Sequence, residues 1–332
     1  MALLSKRKKI EASGIDLMET VTIGGILQVL YFRGEDIKNP IILFIHGGPG
    51  QPEIPFLHDF QYSWETHFTI VHWDQRNSGK TFFLNNPEAV LETLNFERAL
   101  SDAHEVAQYI REKLNQDKII VLGHSYGSVL GTALVQSYPQ YFSAYIGLAQ
   151  VVNMRDNERV GFDMLLEIAR KKGNNKDIRA IESLAPYPPN EAFNKSFMSR
   201  LMSVRQFQAK YGIATGGDLR TIFRLLTSPY YSWQEKGYFS KDILANQLPI
   251  FKYLFDEFDI HYFGTTFEIP VFIVMGDRDY NTPHTLAKEF FEEISAPHKA
   301  FFLIPNAGHF AMMDNKAEFN RVLLEKIKPL ID

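Results

Sequence analysis

The chain has 332 residues, 45% hydrophobic and 22% charged, which excludes a disordered, collagen-like or coiled-coil polypeptide and allows two domains or one large domain with an insertion. Its 35 basic and 39 acidic side chains leave a formal charge of −4, with no electrostatic footprint for nucleic acid, so small neutral or modestly charged substrates are expected. There is no cysteine, which removes disulfides, thiolate catalysis and cysteine-type zinc sites together.

The first charge run, Lys6-Arg7-Lys8-Lys9, follows only Ala2-Leu3-Leu4 and precedes Glu11, Ser13, Gly14 and Asp16. A signal peptide needs an apolar stretch after the charges, so the run reads as a solvated N-terminus. No apolar segment reaches the roughly 18 residues needed to cross a bilayer, and a cytoplasmic protein without a membrane partner is expected.

Residues 19–34 read as short strands punctuated by Gly24-Gly25, a hairpin-like opening. Ile41-Ile42-Leu43-Phe44-Ile45 is apolar at every position, as in a strand buried on both faces, and it ends in His46-Gly47-Gly48-Pro49-Gly50. Residues 68–73 repeat the pattern and end in Asp74-Gln75-Arg76. Across 96–114 the apolar residues Ala99, Leu100, Ala103, Val106, Ala107, Ile110 and Leu114 recur at helical spacing. Residues 118–122 form a further buried strand, followed by a helix over about 125–138 and a strand at 144–148. This alternation predicts a mostly parallel sheet with helices on both faces. From 151 to about 267 it stops, and several helices broken by Pro186, Pro188-Pro189, Gly216-Gly217, Pro229 and Pro249 predict a helical insertion. Strands resume at 269–275 and 300–304, and a closing helix is expected over about 315–331. The predicted division is a core of residues 1–150 and 268–332 and a helical cap of 151–267.

Gly123-His124-Ser125-Tyr126-Gly127 lies between a buried strand and a predicted helix, where a serine on a strained turn needs small residues two positions before and after it. Such a turn lifts Ser125 above the carboxyl end of the sheet and aims the Tyr126 N–H at a substrate oxygen. A nucleophilic serine needs a base, and the base needs a carboxylate, in the chain order Ser, acid, His. Gly276-Asp277-Arg278-Asp279 and Asn306-Ala307-Gly308-His309 follow the last two predicted strands in that order. Asp279 is preferred over Asp277 because it lies deeper in the loop that Pro283 closes. The loop 46–50 offers the second oxyanion donor, with the Gly48 N–H the first choice. His46 and His124 read as hydrogen-bonded structural histidines, and no ligand spacing suggests a metal or cofactor.

His46-Gly47-Gly48-Pro49-Gly50, the run Trp73-Asp74-Gln75-Arg76-Asn77-Ser78-Gly79-Lys80-Thr81 and Gly123-His124-Ser125-Tyr126-Gly127-Ser128 together resemble the prolyl iminopeptidase family of α/β-hydrolases. The resemblance covers residues of about 19–150 and 268–331 and implies an α/β-hydrolase core with a helical cap after the sixth strand. It implies release of an N-terminal residue, often proline, from a peptide, with Asp279 and His309 as acid and base and the Asp74-Gln75-Arg76 segment mainly architectural. Asn77 stands where the family usually has glycine, and His124 and Tyr126 where the peptidases often have glycine and tryptophan. The peptidases hold the substrate amine with cap glutamates, one in a Trp-Glu motif, and the nearest match is Trp233-Gln234-Glu235. Trp233 and Glu235 are therefore the expected substrate contacts, with Glu158, Glu191 and Glu257 as other cap carboxylates. The aromatic residues of the insertion either form its own core or line an apolar pocket for a ring such as proline. The leading expectation is a cofactor-independent serine hydrolase acting on short peptides. The alternatives are a carboxylesterase or amidase on a small apolar acyl substrate, or a ligand-binding protein of the same fold without catalysis.

Overall fold

A computed structural model describes residues 7–213 and 219–331, with Leu219 and Arg220 described in backbone only. Among the described residues eight strands form one sheet: β1 Ile15–Ile23, β2 Ile26–Gly34, β3 Ile41–Ile45, β4 Thr69–Asp74, β5 Ile119–His124, β6 Phe142–Leu148, β7 Val271–Gly276 and β8 Lys299–Ile304. Their spatial order is β1-β2-β4-β3-β5-β6-β7-β8. The hairpin β1–β2 and the β2–β4 pair are antiparallel, and every pairing from β4 to β8 is parallel. This is the α/β arrangement that the alternation of apolar strands and amphipathic helices predicts.

The parallel strands are apolar throughout because both faces are covered. Ile41, Leu43 and Ile45 of β3 and Val121 of β5 pack into one core with α1 (Phe96–Leu114) and α2 (Tyr126–Ser137). Ile42, Phe44 and Leu122, one residue out of phase, join a second core with Trp64, Phe68 and the closing segment around Phe319 and Leu323. A one-residue slip of any of these strands would exchange the two sets, so the pattern fixes the register.

Between β6 and β7 the chain forms helices, chiefly α3 (Met154–Lys171), α4 (Asn175–Glu182), α5 (Lys195–Lys210), α6 (Leu219–Thr227) and α7 (Leu248–Asp256). Phe193, Phe197, Leu201 and Phe255 build one small core there, and Phe162, Leu165, Ile181 and Val204 another. Helix α8 (His284–Glu293) then joins β7 to β8.

Two expectations change. The closing helix runs unbroken from Lys316 to Leu330 but is not α-helical throughout: Lys316–Arg321 is α-helical, Val322–Ile327 widens to π geometry and Lys328–Leu330 tightens to a 3₁₀ turn. The described part of the basic run is not simply solvated. Arg7 pairs with Asp16 on β1, and the Lys8 ammonium lies 2.5 Å from Glu35 and donates to the Tyr62 carbonyl at 2.8 Å. These acceptors offset the local excess of positive charge; Lys6 lies outside the described residues.

Candidate active site

Ser125 leaves β5 with φ 55° and ψ −124°, a strained conformation that a non-glycine residue adopts only when its surroundings enforce it. The enforcement is steric and local. A Cβ on Gly127 would come within 2.0 Å of the Ile45 carbonyl oxygen, and one on Gly123 within 2.3 Å of the Gly127 carbonyl oxygen. Only glycine allows β5 to turn this sharply into α2 while lying against β3. The Ser125 N–H donates to the Leu148 carbonyl at 2.9 Å, which ties the turn to the end of β6.

The loops after β7 and β8 bring two further groups to this turn. His309 Nε2 lies 2.8 Å from Ser125 Oγ, and His309 Nδ1 lies 2.8 Å from Asp279 Oδ2. Asp279 also accepts from the Asn281 and Thr282 N–H groups, each at 2.9 Å, and from the Thr282 hydroxyl at 2.6 Å. Burial alone would raise the Asp279 carboxyl, but His309 and the Thr282 donors outweigh it and hold it below the usual range. Asp277 sits apart, accepting the Ala307 N–H at 3.1 Å and so stapling the two loops. The tautomer with the proton on Nδ1 leaves Nε2 free to accept from the serine hydroxyl.

Gly48, with φ +113°, lies in the loop after β3, and Tyr126 opens α2, where a first-turn N–H has no partner within the helix. Both residues, with Ser125 and His309, line a cavity of about 450 Å³. The neighbouring Gly47 approaches so closely that a Cβ there would lie 2.9 Å from Ser125 Cβ. Among the described residues no group of three or more His, Asp or Glu side chains could hold a metal ion, and no helix is long and apolar enough to cross a membrane.

The expected substrate contacts are not at this cavity. Trp233 is 69% exposed, with the Lys236 ammonium over its ring. Glu235 completes a capping box with Ser232 and forms an ion pair of 2.6 Å with Lys80. Serine three residues before a glutamate at a helix start favours this local pairing, and it consumes the carboxylate. The helical residues that do reach the cavity include Glu158, Arg205, Phe251 and Phe255. Glu158 is one of the alternative carboxylates that the sequence offers. It accepts from the Tyr187 hydroxyl and the Arg205 guanidinium, so its charge is already balanced.

The Asp74-Gln75-Arg76 segment braces the loops. Arg76 donates to Asp102 at 2.8 and 3.1 Å and to the Gly24 carbonyl at 2.8 Å. Gln75 donates its side-chain N–H to the His46 carbonyl at 2.9 Å. Asn77, standing where the resembled family has glycine, adopts φ 56°, which asparagine tolerates better than most side chains. Reasoning from sequence missed Thr282, although an aspartate followed three residues later by threonine is a recognisable turn signal. It also missed Glu53, which lines the cavity and touches His124 Nδ1 at 2.7 Å; no spacing rule links those two residues.

With this geometry in place, comparisons with known proteins locate the chain. It is 27% identical over 316 residues to the probable aminopeptidase YbaC of Bacillus subtilis (strain 168), covering 94% of this chain and 96% of that protein. It is 28% identical over 312 residues to a probable proline iminopeptidase of Leptolyngbya boryana, covering 86% of each. Its fold is similar to that of a proline iminopeptidase-related protein from Thermus thermophilus, with a TM-score of 0.65, 19% identity, and coverage of 96% of this chain and 99% of that one. Residues 40–316 match the family described by the α/β hydrolase fold, and the chain belongs to that family.

Proposed function

We propose that the protein is a serine hydrolase that releases an N-terminal residue, proline or one like it, from short peptides. The observation that carries this reading is the relay from Ser125 Oγ to His309 Nε2 and from His309 Nδ1 to Asp279, with both links at 2.8 Å. In the proposed reaction His309 takes the hydroxyl proton as Ser125 Oγ attacks the scissile carbonyl. The Gly48 and Tyr126 N–H groups receive the oxyanion. His309 then protonates the departing amine, and the acyl-enzyme is cleaved by a water that His309 activates in turn. Asp279, held ionised by its donors, keeps the imidazole in the required tautomer. Residues 151–267 act as a cap over a core of 1–150 and 268–332, and Phe251 and Phe255 supply apolar surface suited to a pyrrolidine ring. Similarity to the B. subtilis and L. boryana proteins supports the peptidase assignment.

One observation favours a second reading. Glu158 is already matched by Arg205 and Tyr187, while Val129, Met154, Leu201 and Leu254 make much of the lining apolar. A carboxylesterase or amidase acting on a small uncharged acyl group would suit such a wall. Turnover of a proline arylamide against short acyl esters, with Ser125→Ala as control, separates the two. The peptidase reading predicts a higher kcat/KM for the arylamide carrying a free amine than for its N-acetyl form. Equal turnover of the two, or ester turnover alone, contradicts it.

A further inference from the structure

We infer that His124 is a positioning residue of this site, held as a doubly protonated imidazolium between the Glu53 carboxylate and the main-chain carbonyl of His309. The inference rests on the reading of Ser125, His309 and Asp279 as the reacting residues. It concerns how their three loops are kept in register.

His124 is the last residue of β5, next to Ser125, and only 1% exposed. Its Nδ1 lies 2.7 Å from Glu53 Oε1 and its Nε2 lies 2.9 Å from the His309 carbonyl oxygen. A carbonyl oxygen has no proton to give, and an ionised carboxylate only accepts, so both ring nitrogens must donate. A neutral imidazole carries one N–H and cannot do so. His46, on the neighbouring strand edge, shows the contrast. Its Nδ1 faces the Gly47 carbonyl at 2.9 Å while its Nε2 accepts the Gln75 N–H at 3.2 Å. One donor and one acceptor suit a neutral ring, and burial pushes His46 down. Burial acts on His124 in the same sense but is outweighed by the hydrogen bond and charge of Glu53, the His309 carbonyl and the charge of Asp279, so His124 is raised. The titratable groups facing His124 are thus Glu53, Asp279, His46 and His309.

The three partners belong to different parts of the machinery. Glu53 ends the loop that begins at His46 and carries Gly48, His124 precedes the nucleophile, and His309 is the base. One imidazolium therefore ties the oxyanion loop, the serine turn and the histidine loop together, and its ring centroid lies 5.1 Å from that of His309. Removing a proton from His124 would set the Nδ1 lone pair against the Glu53 carboxylate. Glu53 Oε2, buried and without a hydrogen-bond partner among the described residues, leaves that carboxylate no second donor to fall back on. The loops should then lose their register as pH rises, even though Asp279 and Ser125 do not change protonation.

Glu53→Gln tests this, because the amide N–H can donate to a neutral His124 Nδ1 while Nε2–H still donates to His309. The first readout is the rate of Ser125 labelling by a fluorophosphonate across the pH range, on protein shown to be folded at each pH by circular dichroism. The wild type should lose reactivity on the alkaline side, and Glu53→Gln should lack that fall. Profiles of the same shape in both proteins overturn the inference, since a merely structural Glu53 would scale the rate without changing its pH dependence. The second readout is ¹⁵N-histidine magnetic resonance at neutral pH, with signals assigned by their loss in His124→Asn. Two ring N–H groups on His124 are expected in the wild type and one in Glu53→Gln; a single N–H in the wild type overturns the inference. This second measurement needs no reaction, so a folded wild type that resists the probe contradicts the hydrolase reading while the proton count still decides the state of His124.

Discussion

The carboxyl edge of the sheet and the helical segment between β6 and β7 hold their polar groups in place by opposite means. At the sheet edge each functional group is set by short loops anchored to adjacent strands. Ser125 is strained into place by glycines on β5 and α2, and Asp279 and His309 leave neighbouring strands that pair along their length. In the helical segment the carboxylates are matched inside the segment or against its neighbours: Glu158 by Arg205 and Tyr187, Glu235 by Ser232 and Lys80. The difference shows that neighbouring strand ends gather polar side chains from short loops, whereas the helical segment satisfies its carboxylates within itself or against Lys80.

The largest effect that would test this contrast is expected at the sheet edge. Asp279→Asn should lower kcat by about 10⁴-fold through the wrong histidine tautomer, and Asp277→Asn, which still accepts from Ala307, should leave kcat near wild type. The reverse ranking in steady-state kinetics would show that the loop staple and the orienting carboxylate have been exchanged. Next is Gly48→Ala. A Cβ at φ +113° would lie 2.7 Å from the Gly50 and Gln51 nitrogens, and the displaced loop should cost about 10²-fold in kcat. Unchanged kcat in a folded variant would move the donor elsewhere in the loop.

In the helical segment the expected effects are smaller and of a different kind. Glu235→Gln keeps the cap, since the amide oxygen still accepts the Ser232 N–H, but loses the ion pair with Lys80, and should destabilise the fold by about 0.5 kcal/mol, lowering the midpoint of thermal unfolding while leaving kcat/KM unchanged. A change in substrate preference without loss of stability would return Glu235 to the substrate. An effect on the pH dependence of stability concerns Asp74 on β4, whose carboxyl accepts from Tyr231 at 2.5 Å and joins the two regions. Burial pushes it up to about 7. The folded protein then keeps a proton that the unfolded chain releases near pH 4, so this group's contribution to stability should decline as pH rises from about 4 to about 7. Urea midpoints measured over that interval should show the decline in the wild type and not in Asp74→Asn.

Much of the fold is legible because burial on both faces leaves apolar runs that cannot be mistaken for loops. Residues 41–45 and the helix at 96–114 begin and end where the sequence pattern places them. The short helices Gly79–Leu84 and Pro87–Thr93 are not legible, since six or seven residues give too little periodicity and only the second has a side-chain cap, from Asn86. The closing helix changes from α to π geometry after Arg321 without a proline or glycine at that point to announce it. At the site, Ser125, Asp279 and His309 stand out by their order and their places after strands. Trp233 and Glu235 lie away from the cavity, and Glu235, the last of the three residues that resemble a recognition motif, also completes a helix cap with Ser232. Glu53 is silent in the sequence because its partner, His124, lies 71 residues away and meets it only through the fold.

The central claim is that Ser125 is a nucleophile activated by His309, and covalent labelling tests it most directly. Folded wild-type protein exposed to a fluorophosphonate should carry the adduct on the peptide containing Ser125, identified by mass spectrometry. The adduct should be absent in Ser125→Ala and form far more slowly in His309→Ala. An unlabelled wild type, or an adduct at another residue that persists in Ser125→Ala, would contradict the account.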